Sequence, residues 1–291
     1  MQQLDRGIFY EDTYLGTTLG ALVFSHGTIM IDAPLRLEDA RSWRSTLLNQ
    51  RGGGSRLLVN LDAHPDRTLG AKTLDCTIVA HQKTAQVYRN RPTIFKGQNT
   101  PTGSAWESYS ESIGMRWAPP DITFTNRMSL FWGGPEIALE HRPGPMAGSI
   151  WVIISSEKVL FVGDTLTINE PPFIANAELS EWLESLEYLA NNYGSYLIVA
   201  GRGGTATKKE IVFQVQTLKL VAKGIEKLVK RNAGPEATEE LASQILKEYS
   251  IDRDREEFFL QRLRYGLYQY YARHYRPSSS LEPAVVEEVE E

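Results

Sequence analysis

The sequence predicts an α/β (α+β) protein built as an αββα sandwich: two mixed β-sheets face to face, helices outside, and a helical C-terminal extension. Three observations carry this. Strand-like runs come in two groups, one before residue 81 and one between residues 121 and 164. Each group is accompanied by helical sequence, and a loop-rich middle separates them. The last third then changes to an apolar period of three to four residues.

Residues 18–33, TLGALVFSHGTIMIDA, are rich in β-branched and apolar residues around a His-Gly pair and read as a β-hairpin. Residues 36–50 read as a helix with Leu37, Ala40, Leu47 and Leu48 toward a core, followed by a glycine-rich loop at 51–55. The apolar runs LLVNL (57–61) and TIVA (77–80) fit strands covered on both faces. From 92 to 120 no period is sustained, which marks an irregular insertion whose Trp106, Tyr109 and Trp117 either wall a cleft or form a small core of their own. DITFTN, MSLFW, EIALEH, SIWVIIS and KVLFVGD then restore strands, joined by hairpin-type turns. Residues 178–191 and 208–231 read as helices, the second with a stripe of Ile211, Val215, Leu218, Ala222, Ile225 and Val229. Gly234-Pro235 starts another helix, and Asp252 or Asp254 caps a last one to about Tyr271. The expected plan is an αββα domain over 1–207 containing the 92–120 insertion, a helical extension over 208–276, and a disordered acidic tail over 277–291.

A chain of 291 residues with 42% hydrophobic content can bury a large core. The net charge of -5 equals the five glutamates at 282, 287, 288, 290 and 291, so the body is near neutral and carries no basic patch for nucleic acid. Cys76 is the single cysteine, so no intramolecular disulfide forms, and it reads as a structural thiol. Neither a leader-like segment nor an apolar run of membrane-spanning length stands out, so the expectation is a cytoplasmic protein without a membrane partner. The tyrosine-rich stretch 265–275 serves either a core or a homodimer contact.

Chemistry concentrates where apolar strands run into polar residues. LLVNLDAHPDRTLG leads into Asp62, His64, Asp66 and Arg67; VLFVGDT ends at Asp164; YLIVAGRGG ends at Arg202; HRPGPMAGS precedes a further strand. Polar groups crowded at strand ends are costly unless they meet ligands or partners.

These four segments resemble, in order, the motifs of the metallo-β-lactamase superfamily. Asn60, His64, Pro65, Asp66, Thr68 and Gly70 match its N-T-H-x-H-P-D-H-T-x-G form; 143–149, 160–165 and 201–203 match the P-G-H-T-P-G-S, L-F-x-G-D-T and G-H-G segments. The resemblance covers about residues 8–205 and implies the αββα fold and hydrolase-like chemistry on lactams, lactones, thioesters or phosphoesters. It also implies two metal ions, one held at 62, 64 and 145, the other at 66, 67 and 202, with Asp164 bridging. This chain departs from that pattern. Position 62 is Asp, 145 is Pro, and 67 and 202 are Arg, which has no lone pair to donate. Asp32, in MIDAP, matches a stretch with a supporting role; His81 and His141 read as satisfied structural histidines.

Two expectations follow. Either the chain is a hydrolase of ester, thioester, lactone or phosphoester type, with Asp66, Arg67 and Arg202 as its working groups and at most one divalent ion (zinc, manganese or iron) on Asp62, His64 and Asp164. Or, as the alternative to a hydrolase-like protein of reduced catalysis, it is a metal-free binding protein in which Arg67 and Arg202 hold a small anionic ligand or a partner; in either case no tightly bound metal is the expectation, with Arg67 and Arg202 neutralising Asp66 and Asp164.

Overall fold

A computed structural model describes residues 1–50 and 53–275; the acidic tail lies outside the described residues. Within them the strands form two sheets. The first runs β1 (Gln2–Asp5), β2 (Ile8–Glu11), β3 (Leu19–Phe24), β4 (Gly27–Ile31), β5 (Ser55–Val59), β6 (Thr77–His81) and β7 (Ile122–Phe124), in that spatial order. It is antiparallel from β1 to β4 and parallel from β4 to β7. The second comprises β8 (Arg127–Phe131), β9 (Glu136–His141), β10 (Ile150–Ile154), β11 (Val159–Phe161), β12 (Leu197–Val199) and β13 (Thr205–Ala206), with one parallel pair, β11 with β12.

Strand side chains alternate between two faces, and here both faces are apolar. Leu22, Ile29, Ile31, Leu57 and Val59 point inward to meet Ile150, Val152, Ile154, Val159 and Phe161 of the opposite sheet. Their neighbours Ala21, Met30, Leu58 and Ile78 point outward, onto helices α1 (Leu37–Asn49) and α3 (Ala71–Leu74). On the other side Trp151, Ile153, Leu160 and Ile198 face α5 (Leu179–Asn192), α6 (Lys208–Lys230), α7 (Thr238–Leu246) and α8 (Arg253–Tyr275). Helices α2 (Pro65–Thr68) and α4 (Gln82–Arg89) complete the chain order between β5 and β7. The layers are therefore helix, sheet, sheet, helix, as the two groups of strands predict. The C-terminal helices share one core with the second sheet.

Details differ from the sequence pattern for physical reasons. In α1 the buried residues are Ala40, Trp43 and Leu47, while Leu48 lies on the exposed face. In α6 the buried face follows Ile211, Gln214, Leu218, Val221 and Ile225, and Val229 has turned outward; a helix of 3.6 residues per turn drifts off a hand-drawn stripe within a few turns. The insertion forms its own core: Phe95, Trp106, Tyr109, Met115 and Trp117 pack with Leu35, Leu69 and Tyr88. In α8, Tyr270 and Tyr271 join the core, and Tyr268 and Tyr275 stay exposed. No helix among the described residues is long and apolar enough to cross a membrane.

Candidate functional site

Strand ends of both sheets deliver the polar residues to one place. After β5 the chain turns through Asp62 and His64 into α2, where Pro65 takes the first helical position and the His64 ring accepts from the Asp66 N–H (Nδ1, 3.2 Å). After β11 a 3-10 turn, Gly163–Thr165, presents Asp164. After β12 the turn carries Arg202; a Cβ at Gly201 would lie 2.4 Å from Asp164 Oδ1, so only glycine lets these two turns meet.

The centre is a cluster of four aspartates and two arginines, all buried. Arg67, with no exposed surface, lies among three carboxylates. Its Nη1 donates to Asp32 Oδ2 at 2.5 Å, while Nε and Nη2 make ion pairs with Asp62 Oδ1 at 3.0 Å and Asp164 Oδ1 at 2.5 Å. Arg202 forks onto Asp164, Nε to Oδ1 at 3.2 Å and Nη2 to Oδ2 at 3.3 Å. Its Nη1 lies 3.0 Å from Asp66 Oδ2 and donates to the Gly16 carbonyl. Arg67 thus reaches Asp62 and Asp32 as well as Asp164, a wider set than the Asp66 and Asp164 the sequence suggested.

The remaining lone pairs are also engaged. Asp66 accepts from the backbone N–H of Ala105 at 3.0 Å and of Trp106 at 2.9 Å, so the insertion closes over it. Asp62 Oδ1 accepts from the His64 N–H. Asp32, at positive φ (58°), accepts from Leu61 N–H and pins the start of the site loop to the end of β4.

Charge explains the protonation pattern. Burial raises all four carboxyls, and the arginines oppose it. Arg202 and then Arg67 hold Asp164 well below the usual carboxylate range. Arg202 and the two insertion N–H groups lower Asp66 against its burial. Asp32 and Asp62 depend chiefly on Arg67; burial wins there, raising Asp62 and pushing Asp32 up to about 7. Burial drives His64 down to about 3, so its ring is neutral, and with Nδ1 accepting, the proton sits on Nε2.

A pH dependence follows. Asp32 is raised above its unfolded value of 3.8, so its contribution to stability is present at acid pH and lost as pH rises through about 7. His64, His81, His141 and His274 are lowered from 6.5, so they oppose this trend as pH falls through 6.5. Between pH ~6.5 and ~8 the parent protein should therefore lose on the order of 1 kcal/mol of stability relative to Asp32→Asn, since the histidine contributions are common to both. Urea titrations of both proteins across this window check it; a constant difference between them would mean that Asp32 is charged throughout.

The pattern from sequence missed four contributors. Arg262 of α8, 2% exposed, donates through Nε to Gly103 O and through Nη1 to Glu170 Oε2 and Pro171 O. Its signal was present: a charged residue on an apolar face shared with Phe259, Leu263 and Gly266. Glu170 and Phe173 come from the loop after β11; the Phe173 ring lies 4.4 Å from the His64 ring centroid, with the Arg202 and Arg262 guanidinium carbons 4.5 and 4.0 Å from its own. Arg91 follows α4 and had no sequence signal. Two cavities flank the cluster. A narrow one of about 80 Å³ is lined by Asp62, His64, Arg91, Ser104 and Tyr265, with Pro145 on its wall. An open cleft of about 600 Å³ reaches Arg202, Arg262, Tyr14 and Glu170.

Outside the cluster, His81 and His141 stack at 3.7 Å with their Nε2 atoms on the carbonyls of Thr125 and Ala147. Cys76 is half-buried, and burial pushes its thiol up to about 11. Among the described residues, no group of three or more histidine, cysteine, aspartate or glutamate side chains is arranged to hold a metal ion.

Residues 63–202 match the metallo-beta-lactamase superfamily model. No curated protein matches the chain. Among solved structures, the DIM-1 metallo-beta-lactamase superposes with a TM-score of 0.59 at 16% identity, over 75% of this chain and 95% of that one. A metallo-beta-lactamase from Pontibacter korlensis gives 0.54 at 18% identity, over 73% and 93%. The stereoselective inverting sec-alkylsulfatase Pisa1 from Pseudomonas sp. gives 0.64 at 12% identity, over 94% of this chain and 49% of that one. The last likeness is broad enough to include the C-terminal helices. At these identities the structures show the fold.

Proposed function

We propose, from the premise that this is a metallo-β-lactamase-fold protein whose residues 63–202 match that superfamily, that it is a metal-independent member. In this reading it binds a small anionic molecule and does not act as a metal-dependent hydrolase. The observation that carries this is the Arg67 guanidinium between Asp62 and Asp164, at 3.0 and 2.5 Å, with Arg202 bridging Asp164 to Asp66. The carboxylates that the resemblance assigns to two metals are thus already paired with two cations of the chain itself.

The side chains do not fit a divalent ion. Asp62, Asp66 and Asp164 each lie within ion-pair distance of a guanidinium, and Asp66 also accepts from two backbone N–H groups. The His64 Nδ1 lone pair is used by the Asp66 N–H, and position 145 is proline. A cation entering here would meet two fixed positive charges within the same cluster. The same geometry counts against a ligand read by Arg67 and Arg202 themselves, because their donors already face carboxylates.

The test is elemental analysis of protein purified without chelator, with thermal unfolding in added zinc and manganese. The expected result is substoichiometric metal and an unchanged Tm. Stoichiometric dinuclear metal, or metal-dependent hydrolysis of an ester, thioester, lactone or phosphoester, would return the chain to the hydrolases.

A further inference from the structure

The narrow cavity beside the cluster contains a cation that the cluster does not use. Arg91 is half-buried and stands on the cavity wall. Its guanidinium carbon lies 4.6 Å from the Trp117 ring centroid and 5.7 Å from that of Tyr88, and Nη1 donates to the Ala63 carbonyl at 2.9 Å. Among the described residues no carboxylate lies within ion-pair distance of it, whereas Arg67, Arg202 and Arg262 each have one or more. Burial accordingly lowers its pKa. A guanidinium held beside aromatic rings, with donors left over at a cavity, suits the two oxygens of a planar oxyanion.

His64 lines the same cavity and supplies a second donor. Because the Asp66 N–H occupies His64 Nδ1, the His64 Nε2 carries the proton. Ser104, Thr102 and Asn176 add polar groups, and Met146 and Phe173 add apolar ones. Asp62 and Asp164 also line the cavity, each with a guanidinium against it: Arg67 beside both and Arg202 beside Asp164. The space, about 80 Å³, suits a head group of a few heavy atoms and is well below a drug-sized site.

We infer that this cavity is a carboxylate-binding site, in which Arg91 takes the two oxygens of a small carboxylic acid through its free edge and His64 Nε2–H donates a further hydrogen bond. The inference rests on the metal-independent reading above and moves anion recognition from Arg67 and Arg202 to Arg91.

The experiment uses the full chain and sodium acetate and propionate as probes, at constant ionic strength against chloride, with inorganic phosphate as a separate arm. In protein carrying 15N-labelled histidine, acetate should shift the His64 Nε2 resonance saturably, and phosphate should do so more weakly. Arg91→Met should weaken acetate binding about tenfold or more, as expected for loss of a charge-assisted hydrogen-bonded partner. Arg91→Lys, which keeps charge and stem but not the fork, should fall between. No saturable His64 shift in the wild-type protein, unchanged affinity in a folded Arg91→Met variant, or tighter binding of phosphate than of acetate would each overturn the proposal. The wild-type resonance decides the matter even if both variants fail to fold. Metal content, measured on the same sample, separates failure of this site from failure of the metal-independent reading: bound metal removes the latter, and an absent acetate response without metal removes only the former.

Discussion

Arg67→Ala should abolish stable folding under conditions in which the parent chain folds. Arg67 is the shared partner of Asp32, Asp62 and Asp164, and none of the four side chains has meaningful access to water. Removing one member of a buried pair typically costs about 3–5 kcal/mol, and whole domains are stable by only about 5–15 kcal/mol. Here one truncation leaves Asp32 and Asp62 without their cation and Asp164 with Arg202 alone, and protons must make up the loss. Equilibrium urea unfolding measures the loss. The diagnostic is partial rescue: Arg67→Ala combined with Asp32→Asn and Asp164→Asn should be more stable than Arg67→Ala alone. A single variant that unfolds like the parent would mean that the cluster contributes nothing to stability.

Arg202→Ala should cost about 3–5 kcal/mol for the same reason, since it strips the fork from Asp164 and the contact from Asp66. Asp164→Asn removes the charge that Arg202 and Arg67 share, so the two changes act on one network. The double variant should recover part of the loss, with a coupling of about 0.5–3 kcal/mol in the cycle. Additive effects would place the two side chains in separate energetic units, against the 3.2 and 3.3 Å contacts between them.

The fold was readable because both sheets are covered on both faces. Runs such as LLV, IWVII and VLF have no polar alternate positions, and their apolar character marks them as central strands. β1 escaped because QQLD is a mostly exposed edge strand with nothing apolar to repeat. β13, two residues long, is too short for a period to be visible. Of the site, His64, Asp66, Asp164 and Arg202 could be placed from motif order, because each follows directly on a strand. Which carboxylate each arginine grips could not be read. That depends on the left-handed backbone of Asp32, which aims its carboxylate at both Leu61 N–H and Arg67. Arg91 and Phe173 were equally silent: both come from irregular segments, and only packing against Trp117 and against Arg202 gives them a place.

The guanidinium groups between the aspartates have a further consequence in terms of mass action. A counter-ion drawn from solution stabilises a fold in proportion to the logarithm of its free concentration, so supply and chelation set how much of the protein is whole. Arg67 and Arg202 are tethered by the chain, and their local concentration is fixed by sequence. The stability of the cluster should therefore not vary with the ionic inventory around the protein. Its completion is a step of folding itself, finished when the turns at Arg67, Asp164 and Arg202 meet.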